Sequence, residues 1–238
     1  MKEFFDTLIF IARPAAGKSE IINYLTKTPL QKRLNMFHIA NIKVFDDFPM
    51  LWAWFEEDEI LENLGYSRLH TDQDGYFLYP YLWDVLIERI NLEYSKYLRD
   101  KFARNRCTKV IEFSRGKEHG GYRSAFQLIY KEILQNAAIL YVNVSWEESL
   151  RKNRKRFNSN KPDSILEHSL PDEKLKKLYY ECEFQELAAG ESGILEIQGI
   201  DVPYVVFENE DDVTTAMGNA MGDRLENTLG DLWHLYSK

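Results

Sequence analysis

The chain of 238 residues has little of what marks secreted or membrane proteins. It holds two cysteines, Cys107 and Cys182, with no C-x-x-C pair and no Cys/His spacing suited to zinc. Neither a disulfide framework nor a zinc site is therefore expected. No apolar run approaches the ~18 residues that a membrane span needs. The N-terminus starts like a signal peptide, with Lys2, an apolar stretch and small residues at 15 and 16. Glu3 and Asp6 interrupt it, and cleavage would remove an expected core strand. A soluble protein of the reducing cytoplasm is the simplest expectation. Basic charge is also in short supply: 30 Lys and Arg face 38 Asp and Glu, for a formal charge of −8. That argues against broad nucleic-acid binding, which needs a basic surface, although a single basic groove stays open. Internal repeats and low-complexity linkers are absent as well.

What is present is ordinary core material, 45% hydrophobic, with aromatic residues concentrated around positions 48 to 97. One domain spanning residues 1–238 fits that length. Apolar runs at Leu8 to Ile11, Phe37 to Phe45, Lys109 to Phe113 and Ala138 to Val144 read as strands. Ile194 to Gln198 and Tyr204 to Phe207 read as two more, shorter ones. Between them lie helical patterns: an aromatic one at 50 to 62, a long one from Pro80 to about Arg104, and others at Arg123 to Gln135, Pro171 to Ala188 and about Asp211 to Tyr236. Ser145 to Glu148 has the form of a capping box opening a further helix. Strands alternating with helices predict an α/β fold, a parallel sheet covered on both faces, with ligands beyond the carboxyl ends of the strands.

One stretch carries the sharpest chemistry. After the strand at Leu8 to Ile11 come Ala12-Arg13-Pro14-Ala15-Ala16-Gly17-Lys18-Ser19, and then a helix with Ile21, Ile22 and Leu25 on one side. Strand, loop, G-K-S and helix make the phosphate-binding pattern in which backbone N–H groups and a helix N-terminus face phosphates. Lys18 would reach the β- and γ-phosphates and Ser19 would ligate Mg²⁺. Arg13, Pro14, Ala15, Ala16, Gly17, Lys18, Ser19 and Glu20 form the expected nucleotide-binding segment. Ala12 stands where the first Gly of the pattern belongs, which is tolerable if that residue keeps negative φ. Pro14 removes one N–H from the loop.

Three further clusters fall at strand ends. Glu112, inside the third strand, is a candidate Mg²⁺ carboxylate with Ser19, and Arg115 would project from that strand's end toward phosphate oxygens. The alternative is a structural Glu112–Arg115 pair. Asp46 and Asp47 end the second strand; either could accept a proton from an acceptor hydroxyl, or both could serve ordinary turn chemistry before Pro49. Arg151 and Arg154 share a face of the basic helix after the fourth strand, suited to phosphate charge or to solvent. Trp52, Trp54, Phe55, Tyr79, Tyr81 and Trp83 are either core or the walls of a site for a flat ring.

In layout the chain resembles the P-loop kinases of the nucleoside and nucleotide kinase type. The match is sharpest at Ala12 to Ser19. Val142 to Arg156 resembles their strand and lid helix, Tyr204 to Asp212 their last strand. Glu112-Phe113-Ser114-Arg115 is similar to the Glu-Arg-Ser strand end of deoxynucleoside kinases, with a longer gap between Glu and Arg. The resemblance implies a three-layer fold with five parallel strands in the order 2-3-1-4-5, an acceptor-binding helical region at about 46–105 and a lid at about 145–170. It also implies Mg²⁺-dependent phosphoryl transfer from ATP to a small acceptor, nucleoside or nucleotide by analogy. A non-catalytic nucleotide-binding module is the alternative suggested by Ala12, Pro14 and Glu112. A GTPase is a weaker fit: Asp72 to Gly75 matches D-x-x-G and Asn160 to Asp163 matches N-K-x-D, but neither ends an apolar strand. The apolar edge Met217, Met221, Leu225, Leu229 and Leu232 of the last helix suits either core or a homodimer face.

Overall fold

A computed structural model describes residues 3–99, 106–156 and 169–238. Strand β1 (Thr7–Ala12) is buried along its whole length, as its unbroken apolar run requires. It is followed by helices α1 (Lys18–Lys27) and α2 (Leu30–Phe37), strand β2 (Asn41–Asp46), and helices α3 (Phe48–Asn63) and α4 (Leu82–Arg99). Strand β3 (Cys107–Phe113) leads through a short 3₁₀ turn to α5 (Gly121–Leu128), α6 (Lys131–Leu134) and strand β4 (Ala137–Asn143). Then come α7 (Trp146–Arg156), α8 (Asp172–Tyr179), α9 (Phe184–Leu187), strands β5 (Ser192–Ile197) and β6 (Ile200–Glu208), and α10 (Val213–Ala216) and α11 (Asn219–Tyr236).

The sheet order is β2-β3-β1-β4-β6-β5. Five all-parallel strands were the expectation; the sheet instead has six strands and is mixed, because β5 runs antiparallel to β6 at one edge. The two strands are joined by Gln198 and Gly199, both at positive φ (54° and 77°). Such a two-residue connection matches the twist of a tight hairpin. The remaining pairs, β1–β3, β1–β4, β2–β3 and β4–β6, are parallel.

Two apolar cores lie on the two faces. Ile9 and Ile11 of β1 pack with Ile87, Tyr94, Tyr122 and Phe126. Leu8, Phe10 and Ala12 pack with Ile21, Leu25 and Phe37, together with Met221, Leu225, Leu229 and Leu232. The apolar edge of the last helix is therefore core, not a free dimer face, apart from the more exposed Met217. Among the described residues no helix is long and apolar enough to cross a membrane.

Several expected helices are shorter or broken, each for a tertiary reason. The basic segment before β2 is α2, and its Arg33 is buried, donating to the carbonyls of Leu25, Thr26 and Thr28 at the end of α1. The helix expected over Arg123 to Gln135 is interrupted between α5 and α6. There Gln198 donates to the carbonyls of Phe126 and Ile129, and Asn91 bonds Leu128 and Tyr130. Met217, at φ 49°, separates α10 from α11. The capping box forms only half: the Glu148 N–H donates to Ser145 Oγ (3.1 Å), but the Ser145 N–H donates to Glu210 (2.7 Å). Glu148 pairs instead with Arg151.

The loop after β3 is pressed against the last turn of α8. A methyl on Gly116 would collide with the backbone carbonyl of Leu178, which has no flexible end to yield. Gly116→Ala is expected to cost roughly 1–3 kcal/mol, measured as a lower urea midpoint with an unchanged slope.

Candidate functional site

The carboxyl ends of β1, β2 and β3 open onto a cleft of about 700 Å³. Pro14, Ala15, Ala16, Gly17, Lys18, Ser19 and Glu20 form one wall. Ala12 is not among the residues at positive φ, so the loop does without its first Gly. The left-handed positions are Ala15 (φ 58°) and Gly17 (φ 113°). A non-glycine residue there costs about 1–2 kcal/mol, so Ala15 stores strain in the loop. Gly17 is required for a second reason. A Cβ there would lie 2.6 Å from Thr214 Oγ1 and 2.8 Å from Asn209 Nδ2. Asn209, buried at the end of β6, donates to the Ala16 carbonyl (2.7 Å) and to Thr214 (2.8 Å), bracing the loop from behind. No side chain caps the start of α1, so its first N–H groups face the cleft without a side-chain acceptor. Arg13, expected among the nucleotide-binding residues, turns away and donates to the carbonyls of Val144 and Tyr180.

Lys18 is buried, with its Nζ donating to Ser114 Oγ at 2.7 Å and lying 4.0 Å from Glu112 Oε1. Ser19 Oγ donates to the same carboxylate at 3.2 Å. Burial lowers the Lys18 pKa, against the pull of Glu112, Asp46 and Asp47. Burial also raises the Glu112 pKa, against Lys18 and Ser19. Each charge is thus held at a desolvation cost that a 4.0 Å separation offsets only partly.

The parallel register sets Asp46 directly beside Glu112. Asp46 Oδ1 accepts the Phe48 N–H at 3.0 Å, yet burial first, then Glu112 and Asp47, push its pKa up to about 7. Asp47 faces a different partner: Arg115 Nη1 donates to its Oδ2 at 2.6 Å in a buried pair. The same guanidinium donates to the carbonyls of Ser114 and Trp83 and lies 5.1 Å from the Trp83 ring centroid. Arg115 lines the cleft but is paired with Asp47, and not with Glu112. Two carboxylates adjacent in sequence therefore have opposite environments.

On α7 the two arginines expected at the site do not line this cleft. Arg151 is held by Glu148 and Asp212, and Arg154 by Asp172; neither lines the cleft. The residues that do are Lys152, Asn153, Lys155 and Arg156, with Lys152 anchored on Asp212 and Thr214. The i, i+3 rule identified a shared face correctly but had no means of knowing that Asp212, from the loop before α10, and Asp172 of α8 would meet it.

Beyond Trp83 and Tyr179 the cleft adjoins a smaller cavity of about 210 Å³. Trp52, Phe55 and Trp83 line it, joined by Phe48, Tyr76, Phe77, His119 and Tyr179. Trp54 instead packs in a small core with Leu82 and Leu86, stacked on His70. Tyr79 and Tyr81 stack on each other at the exposed surface. Asp72 to Gly75 is a tight turn beside this cavity and far from the role of a GTPase strand end, with the Gly75 N–H on the Asp72 carbonyl. Asn160 to Asp163, and the latter part of the expected lid, lie outside the described residues.

Among the described residues no group of three or more His, Cys, Asp or Glu side chains converges as a metal cluster. Mg²⁺ does not require one, since it commonly takes one or two carboxylates together with substrate phosphates and water. Ser19, Glu112 and the adjacent Asp46 fit that habit. Comparison with protein-family models and with curated proteins finds no match for this chain.

The raised Asp46 pKa has a stability consequence. A carboxyl that binds its proton more tightly folded than unfolded makes the fold less stable as pH rises from the unfolded value, near 3.8, to about 7. Asp46→Asn is therefore expected to raise Tm over wild type, and by more at pH 8 than at pH 5, in paired thermal melts.

Proposed function

We propose that this protein is a Mg²⁺-dependent phosphotransferase, a small-molecule kinase that moves the γ-phosphoryl group of ATP onto a hydroxyl-bearing acceptor. The observation that carries the reading is the pairing of buried Lys18 and Glu112 with the exposed Ser19 at the mouth of an uncapped helix. This reading takes the chain as a relative of the P-loop kinases of the nucleoside and nucleotide kinase type. The parallel strands β2-β3-β1-β4-β6 are then the family's five-stranded sheet, with β5 an added edge.

The roles follow from chemistry. Lys18 and the N–H groups opening α1 bind the β- and γ-phosphates. Their negative charge relieves the burial that disfavours the ammonium. Ser19 and Glu112, beside Asp46, hold Mg²⁺, which when bound neutralises charge on the phosphate oxygens. Asp46, titrating at about 7, takes the proton of the acceptor hydroxyl as the hydroxyl oxygen bonds to phosphorus and ADP leaves. Asp47 has committed an oxygen to Arg115 and serves to position it. Lys152, Lys155 and Arg156 supply positive charge from α7, in place of Arg151 and Arg154.

Two outcomes test the proposal. Mg²⁺–ATP at a hundred times its Kd is expected to stabilise the fold by about 2.7 kcal/mol. Labelled-ATP transfer to a panel of nucleosides, nucleotides and sugars should be detectable and should fall about a hundredfold or more in Lys18→Ala, while circular dichroism stays unchanged. Stabilisation without transfer to any acceptor would favour the regulatory nucleotide-binding module instead. The transfer rate should also rise with pH to a plateau in wild type, as Asp46 loses its proton. That limb should vanish in Asp46→Asn.

A further inference from the structure

The cavity beside the cleft carries one polar group whose bonding is incomplete. His119 is 8% exposed, its ring stacked on Trp83 with centroids 3.7 Å apart and planes within 16°. Tyr179 meets it edge-on at 5.1 Å. Its Nδ1 faces the Gly116 N–H at 3.4 Å and so acts as acceptor. Burial and the nearby Arg115 guanidinium hold the imidazole neutral, with a pKa of about 3. A neutral ring with an accepting Nδ1 bears its one hydrogen on Nε2. Among the described residues that Nε2 is the buried side-chain nitrogen or oxygen without a hydrogen-bond partner.

Lys174 of the cavity wall donates to the carbonyls of Asp74 and Gly75, and Lys177 sits 4.2 Å from the Tyr76 ring centroid. The His119 Nε2–H is the donor that stays both buried and unmet in this aromatic wall. An unmet buried donor carries a desolvation penalty, and a bound molecule that meets it recovers that penalty as selectivity.

We infer that His119 is a specificity-determining residue, and that the cavity takes an uncharged planar ring bearing a carbonyl or ring-nitrogen acceptor, which receives the Nε2–H of His119. This rests on the phosphotransferase reading for one point: Phe48, Leu51, Trp83, Leu170 and Tyr179 wall both spaces, so a ring held here leaves its hydroxyl substituents toward Asp46. Rings that offer only donors, saturated rings and rings without an acceptor are discriminated against. The Nε2 is shielded from bulk solvent, so the contact forms as the aromatic walls adjust around the ring.

The test is equilibrium binding of defined probes by calorimetry and ligand-observed NMR. Uridine, inosine and 1-methyl-2-pyridone are flat, neutral and carry the acceptor; 1-methyl-2-piperidone has the carbonyl without the flat ring, and benzyl alcohol the flat ring without a ring acceptor. The pyridone and at least one nucleoside should bind, with both controls weaker. His119→Phe keeps a ring against Trp83 but loses the donor, and should weaken those ligands about tenfold; His119→Gln, which restores an N–H, should recover most of the loss. Undiminished binding by His119→Phe, equal binding of piperidone and pyridone, or no binding by any probe would overturn the inference. Thermal stabilisation by Mg²⁺–ATP, read on the wild-type protein in the same buffer, separates the two claims. If it persists, only the ring specificity has failed; if it too is absent, the phosphotransferase reading fails.

Discussion

A buried ammonium and a buried carboxyl, Lys18 and Glu112, face each other 4.0 Å apart at the end of the sheet, and much of the surrounding structure serves to hold them there. Neither charge is favoured by its surroundings, since desolvation is the largest influence on both. What keeps them in place is the backbone. Parallel pairing of β1 with β3 fixes where Glu112 emerges, the tight turn at Gly17 fixes where α1 begins, and Asn209 locks that turn from behind. A site built this way is pre-formed, held by the backbone at the cost of local strain.

The same economy explains how neighbouring groups of like chemistry acquire different roles. Asp46 and Asp47 are consecutive, but one lies beside another carboxyl and the other beside a guanidinium. The first is driven toward neutrality, its pKa pushed up to about 7; the second stays engaged in a pair. On α7, Arg151 and Arg154 pair with carboxylates away from the cleft, while Lys155 and Arg156 line it together with Lys152, itself bound to Asp212. Counting charges along the chain does not reveal this sorting, because it depends on partners between 18 and 68 residues away.

Much of the fold was legible from short-range pattern. Runs such as Leu8 to Ile11 and Ala138 to Val144 are apolar on both faces because both faces are covered, and they are strands. The hairpin β5–β6 was visible as two short strands, but its antiparallel pairing was not, because Gln198-Gly199 is a weaker turn signal than Asn-Gly. Helices ended where distant side chains captured backbone groups, as Gln198 does at Phe126 and Ile129. In the aromatic region, helical spacing alone could not separate Trp52 and Phe55, which line a cavity, from Trp54, which fills a core.

By itself the sequence determined the strand–loop–helix at Thr7 to Lys27, with its Lys18 and Ser19, because its signals are local: the unbroken apolar run, the glycine at the turn and the helical spacing after it all lie within some twenty residues. Tertiary structure alone decided which carboxylate sits beside Glu112, which cations face the cleft and that His119 joins the aromatic cavity. Those outcomes are set by strand register and by ion pairs between segments far apart in the chain, and no periodicity records them.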